Sequence, residues 1–279
     1  MVVLSTNRRV DTLACLESLV KNTYPSVQVV AVDNQSTDGS AEAVLARFPN
    51  VTLIELQTNR GYAGNNNVGI QFALTQAADW VLILNEDTIM APDCIERLIG
   101  AVATDAQIGM AGPMIYHYDE PNVIQTAGGV MDRFWSARHL GHNDLDLGQY
   151  VEPHPVDWLS GCALMVRRSL IEQLGVLDER LFIYWEEIDW CIRANRAGWR
   201  LVHVPQAKVW HKGVQRNYRP KPNVTYYSIR NQFLILKKHG APWLAQVYQW
   251  LQTFRTLLSW TIRPKWQHMR DHRDHPSSA

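Results

Sequence analysis

Short apolar runs that alternate with helical stretches, each run ending in polar residues, dominate the first third of the chain. The runs at residues 1–4, 27–32, 51–56 and 80–84 are rich in Val, Ile and Leu, which is typical of buried strands. Between them, apolar residues recur at three- and four-residue spacing, as they do on helices. Strands that alternate with helices in this way predict an α/β fold with a mostly parallel, doubly wound sheet.

The strand predicted at 80–84 ends in three polar residues, Asn85, Glu86 and Asp87. In an open α/β sheet, ligands bind at the carboxyl ends of the strands. Carboxylates placed there without neighbouring lysines indicate a divalent cation whose shell is completed by phosphate oxygens. The same residues also suit a simple loop that leads into the helix after Pro92, and this stretch alone leaves both interpretations open.

Residues 59–69 form a polar stretch with three glycines and three consecutive asparagines. The glycines do not fit the G-x-G-x-x-G fingerprint of dinucleotide-binding folds, which disfavours a nicotinamide-dependent oxidoreductase. We interpret the stretch as a polar loop whose amides bind a ligand or hold the loop, followed by a helix to about residue 77. Residues 116–156 are turn-rich and aperiodic, which is typical of a lid, a binding loop or a disordered insert.

Carboxylates open a helix predicted to begin at Glu186 and to contain Glu187 and Asp189. The helix dipole stabilises each acid in the first turn by about 0.3–1 kcal/mol, which is a purely structural explanation. Flanking aromatic residues would instead desolvate an acid and raise its pKa, as a general base requires. His211 ends a short edge segment predicted at 207–213, and it is either structural or a metal ligand.

Charge is uneven along the chain, although the net charge is zero. Residues 212–279 contain twelve Lys and Arg and two acids. This asymmetry predicts an anionic partner for the basic end, either a phosphate ligand or an anionic membrane surface. The four cysteines form no C-x-x-C pair, which predicts buried free thiols in a reducing compartment. We expect neither a signal peptide nor a membrane-spanning helix.

Taken in order, these features resemble the inverting family 2 glycosyltransferases, closest to their rhamnosyltransferase-like bacterial branch, which builds O-antigen, capsule or other cell-wall polysaccharide. The resemblance covers roughly residues 1–240 and rests on Asp33, the Asn-rich stretch, Asn85–Asp87, Ser160–Gly161, Glu186–Asp189 and Trp210–His211. It implies a GT-A fold with a nucleotide-binding half at about 1–115 and an acceptor-binding half at about 116–240. Residues 241–279 would add an amphipathic, basic carboxyl-terminal helix and tail.

The resemblance also implies roles for single residues. Asp33 would bind the base and ribose of a nucleotide-sugar, and Asn67 the nucleotide or its ribose. Asp87 matches the second acid of the D-x-D motif, and with His211 and Asn85 it would hold Mn²⁺ or Mg²⁺. Glu187 would be the catalytic base, with Glu186 or Asp189 as alternatives. Further residues of the sugar-donor site would be Thr6, Asn7, Ser36, Asn59, Gly61, Glu86, Ser160 and Gly161.

Three departures from the family pattern have physical consequences. Asn85 replaces a carboxylate, which should weaken metal binding. A Glu base is one methylene longer than Asp, so the acceptor would sit slightly farther back. The first strand ends Ser5-Thr6-Asn7 where Thr-Tyr-Asn is usual, which removes an aromatic ring and should loosen nucleotide binding. A non-catalytic protein that binds nucleotide-sugars or glycans therefore remains the alternative.

The implied partners are a dTDP-, UDP- or GDP-linked sugar donor and a glycan or lipid-linked acceptor, with no role for nucleic acid. Residues 243–262 form a predicted Trp-rich amphipathic helix, followed by Arg263, Lys265 and Arg270. Such a helix suits either peripheral contact with the inner face of the cytoplasmic membrane or packing, on the domain or across a homodimer. We expect a cytoplasmic protein at that membrane face.

Overall fold

The computed structural model describes residues 1–213 and 221–262, and the apolar runs of the sequence form its central strands. The strands are β1 Val2–Ser5, β2 Val30–Asp33, β3 Thr52–Glu55, β4 Trp80–Asn85, β5 Thr88–Met90, β6 Ile108–His117, β7 Ile124–Thr126, β8 Gly129–Met131, β9 Ala137–His139, β10 His154–Pro155, β11 Ala163–Arg167 and β12 Arg200–His211. The helices are α1 Arg9–Val20, α2 Ser40–Arg47, α3 Gly61–Thr75, α4 Cys94–Val102, α5 Arg168–Leu174, α6 Glu186–Arg196, α7 Pro222–Lys238 and α8 Trp243–Ile262.

One large mixed sheet organises the protein, with the strand order β10-β12-β6-β11-β4-β1-β2-β3. Strands β3, β2, β1 and β4 are parallel to one another, and β6 is parallel to β12. Strand β11 runs antiparallel to both β4 and β6, which joins the two parallel groups. The carboxyl ends of β1, β2 and β4 therefore meet at one edge, where ligands of α/β proteins bind.

Two apolar layers cover the two faces of this sheet. One joins buried side chains of α1, α2 and α4 to the strands, and the other joins those of α3, α5 and α6. Burial on both faces explains why the central strands are nearly continuous apolar runs and do not alternate with polar residues. It leaves the strand ends as the places where polar side chains gather.

The structure corrects three sequence-based expectations. The Asn-rich stretch is not a loop, because α3 already begins at Gly61 and its asparagines are buried within the helix. The predicted edge segment at 207–213 instead continues β12, which pairs with β5, β6 and β10. The aperiodic residues 116–156 contain four short strands, including the β8–β9 pair. The sequence pattern did not predict these strands because each has only two or three residues.

The carboxyl-terminal part consists of α7 and α8, as the helical pattern predicted, whereas the predicted basic tail at 263–279 lies outside the described residues. Over residues 1–213 and 221–262, no helix combines the length and the hydropathy needed to cross a bilayer. All four cysteines are buried and free, as their spacing predicted.

Candidate functional site

The adjacent ends of β1, β2 and β4 bring the first predicted site residues together. Ser5 pairs in register with Asp33, and Leu4 with Asn85. Asp33 is 3% exposed, and its Oδ2 accepts the Ser36 N–H at 2.9 Å. Its Oδ1 is buried without a hydrogen-bond partner among the residues described. Such atoms are rare in native proteins, so this oxygen is a candidate acceptor for a ligand.

The loops after β1 and β2 hold each other in place beside Asp33. The Asn7 N–H donates to Ser36 Oγ at 2.9 Å, and Asn7 Oδ1 accepts the Thr37 N–H at 2.7 Å. Asn7 has a φ of 51°, in the left-handed region that asparagine tolerates better than most residues. Thr6, Asn7 and Ser36, which the sequence predicted as site residues, thus lie together beside Asp33.

Glu86 supports the loop after β1 in the same region. Its Oε2 accepts the Thr6 N–H at 2.6 Å and the Thr12 hydroxyl at 3.2 Å, and the residue is 8% exposed. Burial raises the pKa of Glu86 to about 7, although the two hydrogen bonds act to lower it. Neighbouring Asn85 ends β4 and accepts the Thr88 hydroxyl with its backbone carbonyl at 2.7 Å. Glu86 therefore braces the loop that carries Thr6.

Asp87 and His211 meet because β5, which follows Asp87, pairs with the end of β12. His211 Nε2 lies 3.1 Å from Asp87 Oδ1, and Nδ1 lies 3.0 Å from Gln125 Oε1. A carbonyl oxygen only accepts, so Gln125 fixes the proton on Nδ1 and orients Nε2 towards Asp87. Both residues are nearly buried, at 5% and 6% exposure. A carboxylate oxygen and an imidazole nitrogen that face each other are both donor types that divalent cations accept.

Gly213 and Arg8 complete the surroundings of this pair. A Cβ at Gly213 would lie 2.3 Å from Asp87 Oδ2 and 3.1 Å from His211 Nε2, so glycine keeps this space open. Arg8 Nη1 lies 2.6 Å from Asp87 Oδ2 on a side chain that is 41% exposed. Among the described residues, no group of three His, Cys, Asp or Glu could hold a metal. A cation here would therefore need ligand and water oxygens as well.

Charge pairing sets the protonation of these two groups. Burial alone would raise the pKa of Asp87, but His211 and Arg8 lower it below its usual value. Burial alone would lower the pKa of His211, but the Cys162 sulfur and Asp87 raise it to about 10. A metal ion at this site therefore has to displace a proton from the imidazole.

The two glutamates at the start of α6 lie beside Gly161. A Cβ at Gly161 would lie 3.5 Å from Glu187 Cβ and 3.3 Å from Tyr62 Oη, and Tyr62 Oη donates to the Gly161 carbonyl at 2.6 Å. Ser160 Oγ accepts the Cys162 N–H at 3.3 Å in the same turn. Gly161 thus packs against Glu187 at van der Waals distance, and the close approach of a ligand or another backbone at this glycine stays a prediction.

Among the residues that the structure describes, Glu186 and Glu187 have no charge partner. The Oε2 atom of each is buried without a hydrogen-bond partner in the described part of the chain. Burial raises the pKa of Glu187 to about 7, and burial together with the Glu187 charge raises that of Glu186 well above its usual value. A carboxylate whose pKa is raised in this way suits a general base that works near neutral pH. Glu187 is half-buried and is therefore more accessible than Glu186, which is 4% exposed.

Asp189 is not brought to this pair. Its Oδ2 lies 2.8 Å from Arg193 Nε, and its Oδ1 lies 2.8 Å from His239 Nε2 and 2.7 Å from Lys238 Nζ. Burial alone would raise the pKa of Asp189, but His239 and Lys238 lower it. Its carboxylate joins α6 to the end of α7, which is a structural role.

The predicted residues of the Asn-rich stretch brace the protein from within. Asn59 Oδ1 accepts the Gly61 N–H at 2.8 Å. Asn67 exchanges two hydrogen bonds with the Leu177 backbone at 3.0 Å each and is 2% exposed. Gly61 has a φ of 73°, and a Cβ there would lie 2.4 Å from Phe182. Gly61 and Asn67 thus contact residues 177–182, Asn59 bonds to the start of α3, and the Asn67 amide is paired away from Asp33.

A strained segment before the glutamates is held by α7. Phe182, Tyr184 and Trp185 have φ values of 64°, 69° and 75°, which are costly for residues other than glycine. Asn231 Nδ2 lies 2.7, 2.8 and 2.7 Å from the carbonyl oxygens of Leu181, Ile183 and Tyr184. Arg230 adds bonds to the carbonyls of residues 180 and 181. We call Arg230 and Asn231 the α7 clamp.

Sequence reasoning missed several of these supporting residues. Arg8, Gln125 and the α7 clamp act on groups 47 to 86 positions away in sequence, which no local pattern marks. Gly213 did carry a signal, because a glycine two residues after a candidate ligand indicates space kept for an ion. Arg8 carried one too, as a cation directly after the polar end of the first strand.

The chain is similar to known proteins over most of its length. The N-acetylglucosaminyl-diphospho-decaprenol L-rhamnosyltransferase of Mycobacterium tuberculosis is 32% identical over 89% of this chain and 83% of its own length. The dTDP-rhamnosyl transferase RfbF of Shigella flexneri is 26% identical over 97% of this chain and 91% of its own.

Among solved structures, GalNAc-T7 with UDP, GalNAc and Mn²⁺ superposes with a TM-score of 0.67 and 16% identity. The match covers 85% of this chain but only 47% of that protein, so this chain spans about half of its length. The likeness confirms the expected GT-A fold. The family model described as Glycosyl transferase family 2 matches residues 1–175. This chain belongs to glycosyl transferase family 2 and is a glycosyltransferase.

Proposed function

We propose that the enzyme transfers rhamnose, with inversion, from dTDP-rhamnose to a hydroxyl of a lipid-linked glycan. The observation that carries this is the unpaired Glu186–Glu187 pair beside Gly161, in a fold whose strand-end edge holds Asp33, Asp87 and His211. The sugar and acceptor follow from the two rhamnosyltransferases, which are similar over most of both chains.

We propose that the sugar donor lies along the ends of β1, β2 and β4. Asp33 has a buried, unpartnered Oδ1 that suits a hydroxyl or imide N–H donor of the nucleoside. Asp87 and His211, with Asn85 beside them, would hold Mn²⁺ or Mg²⁺ at the diphosphate. When bound, such an ion neutralises the charge that the leaving nucleoside diphosphate develops. Arg8 would then release Asp87 and remain near the phosphates as a second positive group.

Glu187 supplies the base in this proposal. Its pKa of about 7 lets it accept a proton from the attacking acceptor hydroxyl near neutral pH. The oxygen then bonds to the anomeric carbon as the bond to the diphosphate breaks, and attack on the face opposite the leaving group inverts that carbon. Glu186, more deeply buried, keeps the pair's first proton and prevents two adjacent charges.

The proposed nucleotide and acceptor halves come from successive parts of the chain. We propose residues 1–115 as the nucleotide half, since they contain Asp33 and Asp87, and residues 116–240 as the acceptor half, since they contain Glu187 and the α7 clamp. Residues 241–279 would form a separate carboxyl-terminal element that begins with α8.

A transfer assay tests the proposed reaction directly. The purified enzyme is given a short-chain N-acetylglucosaminyl-diphospho-lipid and one of dTDP-rhamnose, UDP-galactose or GDP-mannose, with Mn²⁺, Mg²⁺ or EDTA. We expect metal-dependent transfer from dTDP-rhamnose, with the product anomer opposite to that of the donor. Transfer from another donor would reject the sugar, and donor binding without any turnover would favour the non-catalytic alternative.

We further propose that α8 rests on an anionic bilayer surface. Trp243, Trp250 and Phe254 are 69%, 64% and 64% exposed, and further apolar residues lie exposed between them. The basic excess of residues 212–279 would add attraction to anionic lipids.

Vesicle flotation separates this proposal from a homodimer. The wild type should float with vesicles containing phosphatidylglycerol and less with neutral ones, and a Trp250→Gln, Phe254→Gln variant should stay in solution. Equal flotation of both proteins would reject the contact. Loss of a dimer on size-exclusion chromatography in the variant would instead identify α8 as a subunit interface.

A further inference from the structure

A groove of about 430 Å³ lies between α7 and α8, and neither the sugar-donor site nor the glutamate pair accounts for it. Its volume falls within the range of about 300–1,000 Å³ that is usual for small-molecule sites. The walls come from both helices, from the turn before β9 and from Trp185. The lining residues are Ser136, Ala137, Trp185, Val224, Thr225, Ser228, Ile229, Gln232, Tyr248, Gln249, Gln252, Thr253 and Thr256.

The chemistry of this lining selects a neutral, hydroxyl-rich ligand. None of the lining side chains carries a charge at neutral pH, in a protein in which 19% of residues are charged. Six are hydroxyl residues and three are glutamines, and both kinds of side chain donate and accept hydrogen bonds. Gln249 is 5% exposed, and its Nε2 makes a single long bond of 3.5 Å to Thr253 Oγ1. An amide group with one long hydrogen bond can still bond to a ligand.

The groove adjoins, through Trp185, the segment that leads to the glutamate pair. Trp185 lines it and directly precedes Glu186, and its φ of 75° is maintained through the segment that the α7 clamp holds. At the other wall, Tyr248 stacks on Phe134 with ring centroids 4.6 Å apart. Aromatic residues with a few placed polar groups are the usual lining of a specific small-molecule site. The ends of β1 and β2, where Asp33 lies, contribute no residue to the groove.

We infer that this groove is a subsite for a neutral sugar unit of the acceptor, and this inference rests on the proposed transferase function. The sugar unit lies between α7 and α8, with Gln249 and Gln232 bonded to its hydroxyl or acetamido groups. Its reacting hydroxyl then points past Trp185 towards Glu187. The lining residues that the structure describes include no cation, so we place the acceptor's diphosphate outside the groove.

Matched glutamine variants test the subsite. Gln249→Leu and Gln232→Leu remove the amides at nearly constant size, whereas Gln246→Leu makes the same change on an exposed position of α8 outside the groove. Ser228→Phe fills the groove. The probes are dTDP-rhamnose and a short-chain N-acetylglucosaminyl-diphospho-lipid, and release of dTDP without acceptor measures turnover of the donor alone. Thermal denaturation checks that each variant is folded.

We expect each amide variant to raise the acceptor KM about three- to tenfold, which corresponds to one lost hydrogen bond. The donor KM and acceptor-free dTDP release should stay at the level of Gln246→Leu, and Ser228→Phe should prevent acceptor saturation. An acceptor KM equal to that of Gln246→Leu in all three folded variants overturns the subsite. So does a wild type that releases dTDP but does not use the probe. No dTDP release at all would instead reject the proposed function.

Discussion

The two buried acidic centres of this enzyme are built in opposite ways. Asp87 lies between two cationic groups, with His211 Nε2 at 3.1 Å and Arg8 Nη1 at 2.6 Å, and its pKa is lowered. Glu186 is buried and its neighbour Glu187 is half-buried, and among the described residues neither has a cationic partner. The Oε2 atom of each is unpartnered there, and both pKa values are raised. The same functional group thus stays ionised at one centre and holds a proton at the other.

The difference explains how one site can use carboxylates for two tasks. An ionised carboxylate suits a metal and a diphosphate, whereas one that titrates near neutral pH suits proton transfer. The supports differ as well. Side-chain charges hold Asp87, whereas the segment that leads to the glutamates is held by hydrogen bonds that the Asn231 side-chain amide donates to backbone carbonyls. Substitutions on either side should therefore give different kinetic signatures.

The largest effect should come from Glu187→Gln. The amide cannot accept the acceptor's proton, so kcat for transfer should fall by at least about a hundredfold. Binding of the sugar donor should be unchanged, since Glu187 does not lie at the strand ends. Steady-state transfer and calorimetric donor titration measure the two effects, with the exposed Glu172→Gln as control. Wild-type turnover in Glu187→Gln would move the base to Glu186.

Asp87→Asn should act on binding. Loss of the negative charge between His211 and Arg8 should weaken Mn²⁺-dependent binding of the nucleoside diphosphate by at least about tenfold. Calorimetry of dTDP with Mn²⁺ and with EDTA measures this, and Asp93→Asn removes a carboxylate on the surface for comparison. Equal affinity of the wild type with and without EDTA would contradict the metal assignment.

Asn231→Ala tests the support of the glutamate side. The carbonyls of Ile183 and Tyr184 lose the Asn231 amide, whereas that of Leu181 keeps its bond from Arg230, and the loss should lower the free energy of unfolding by about 1–3 kcal/mol. We also expect kcat to fall more than the donor KM changes, and Asn231→Gln to restore little because its amide is displaced. Urea unfolding and transfer kinetics measure both, with exposed Asn223→Ala on the same helix as control. A loss of stability with kcat intact would make the clamp structural only.

The smallest effect concerns pH. The folded protein holds a proton on the glutamate pair up to about pH 7, whereas an unfolded Glu releases it near pH 4.5. The stability that depends on this proton is present below about pH 4.5 and is lost as the pH rises to about 7. Urea unfolding between pH 5 and 8 should therefore show a shallower decline in Glu186→Gln than in the wild type. Parallel curves would mean that the pair is ionised throughout.

Much of the fold could be predicted because its determinants are local. The strands at 27–32 and 80–84 and the start of α6 follow from apolar runs and from acids in a first turn. Asp33, Asp87 and Glu187 were accessible for the same reason, since each directly follows a strand or opens a helix. The resemblance to a known family added His211, which its surroundings in sequence do not distinguish from a structural histidine.

The rest depended on contacts between distant residues. The Asn-rich stretch looked polar enough for a loop, but Asn67 pairs with the Leu177 backbone, and tertiary burial overrides low helix propensity. Asp189 looked equivalent to its neighbours until Lys238 and His239 paired with it from another helix. Whether an acid titrates near neutral pH thus depends on partners that only the folded chain supplies.

The α7 clamp has a consequence for how this enzyme can be divided or recombined. The family match ends at residue 175, before both the glutamates and the helix that holds them. A chimaera that takes its donor specificity from one relative and its acceptor specificity from another must therefore exchange α6 and α7 as one block. A junction between the two would separate Asn231 from the carbonyls of residues 181–184, and Asp189 from Lys238.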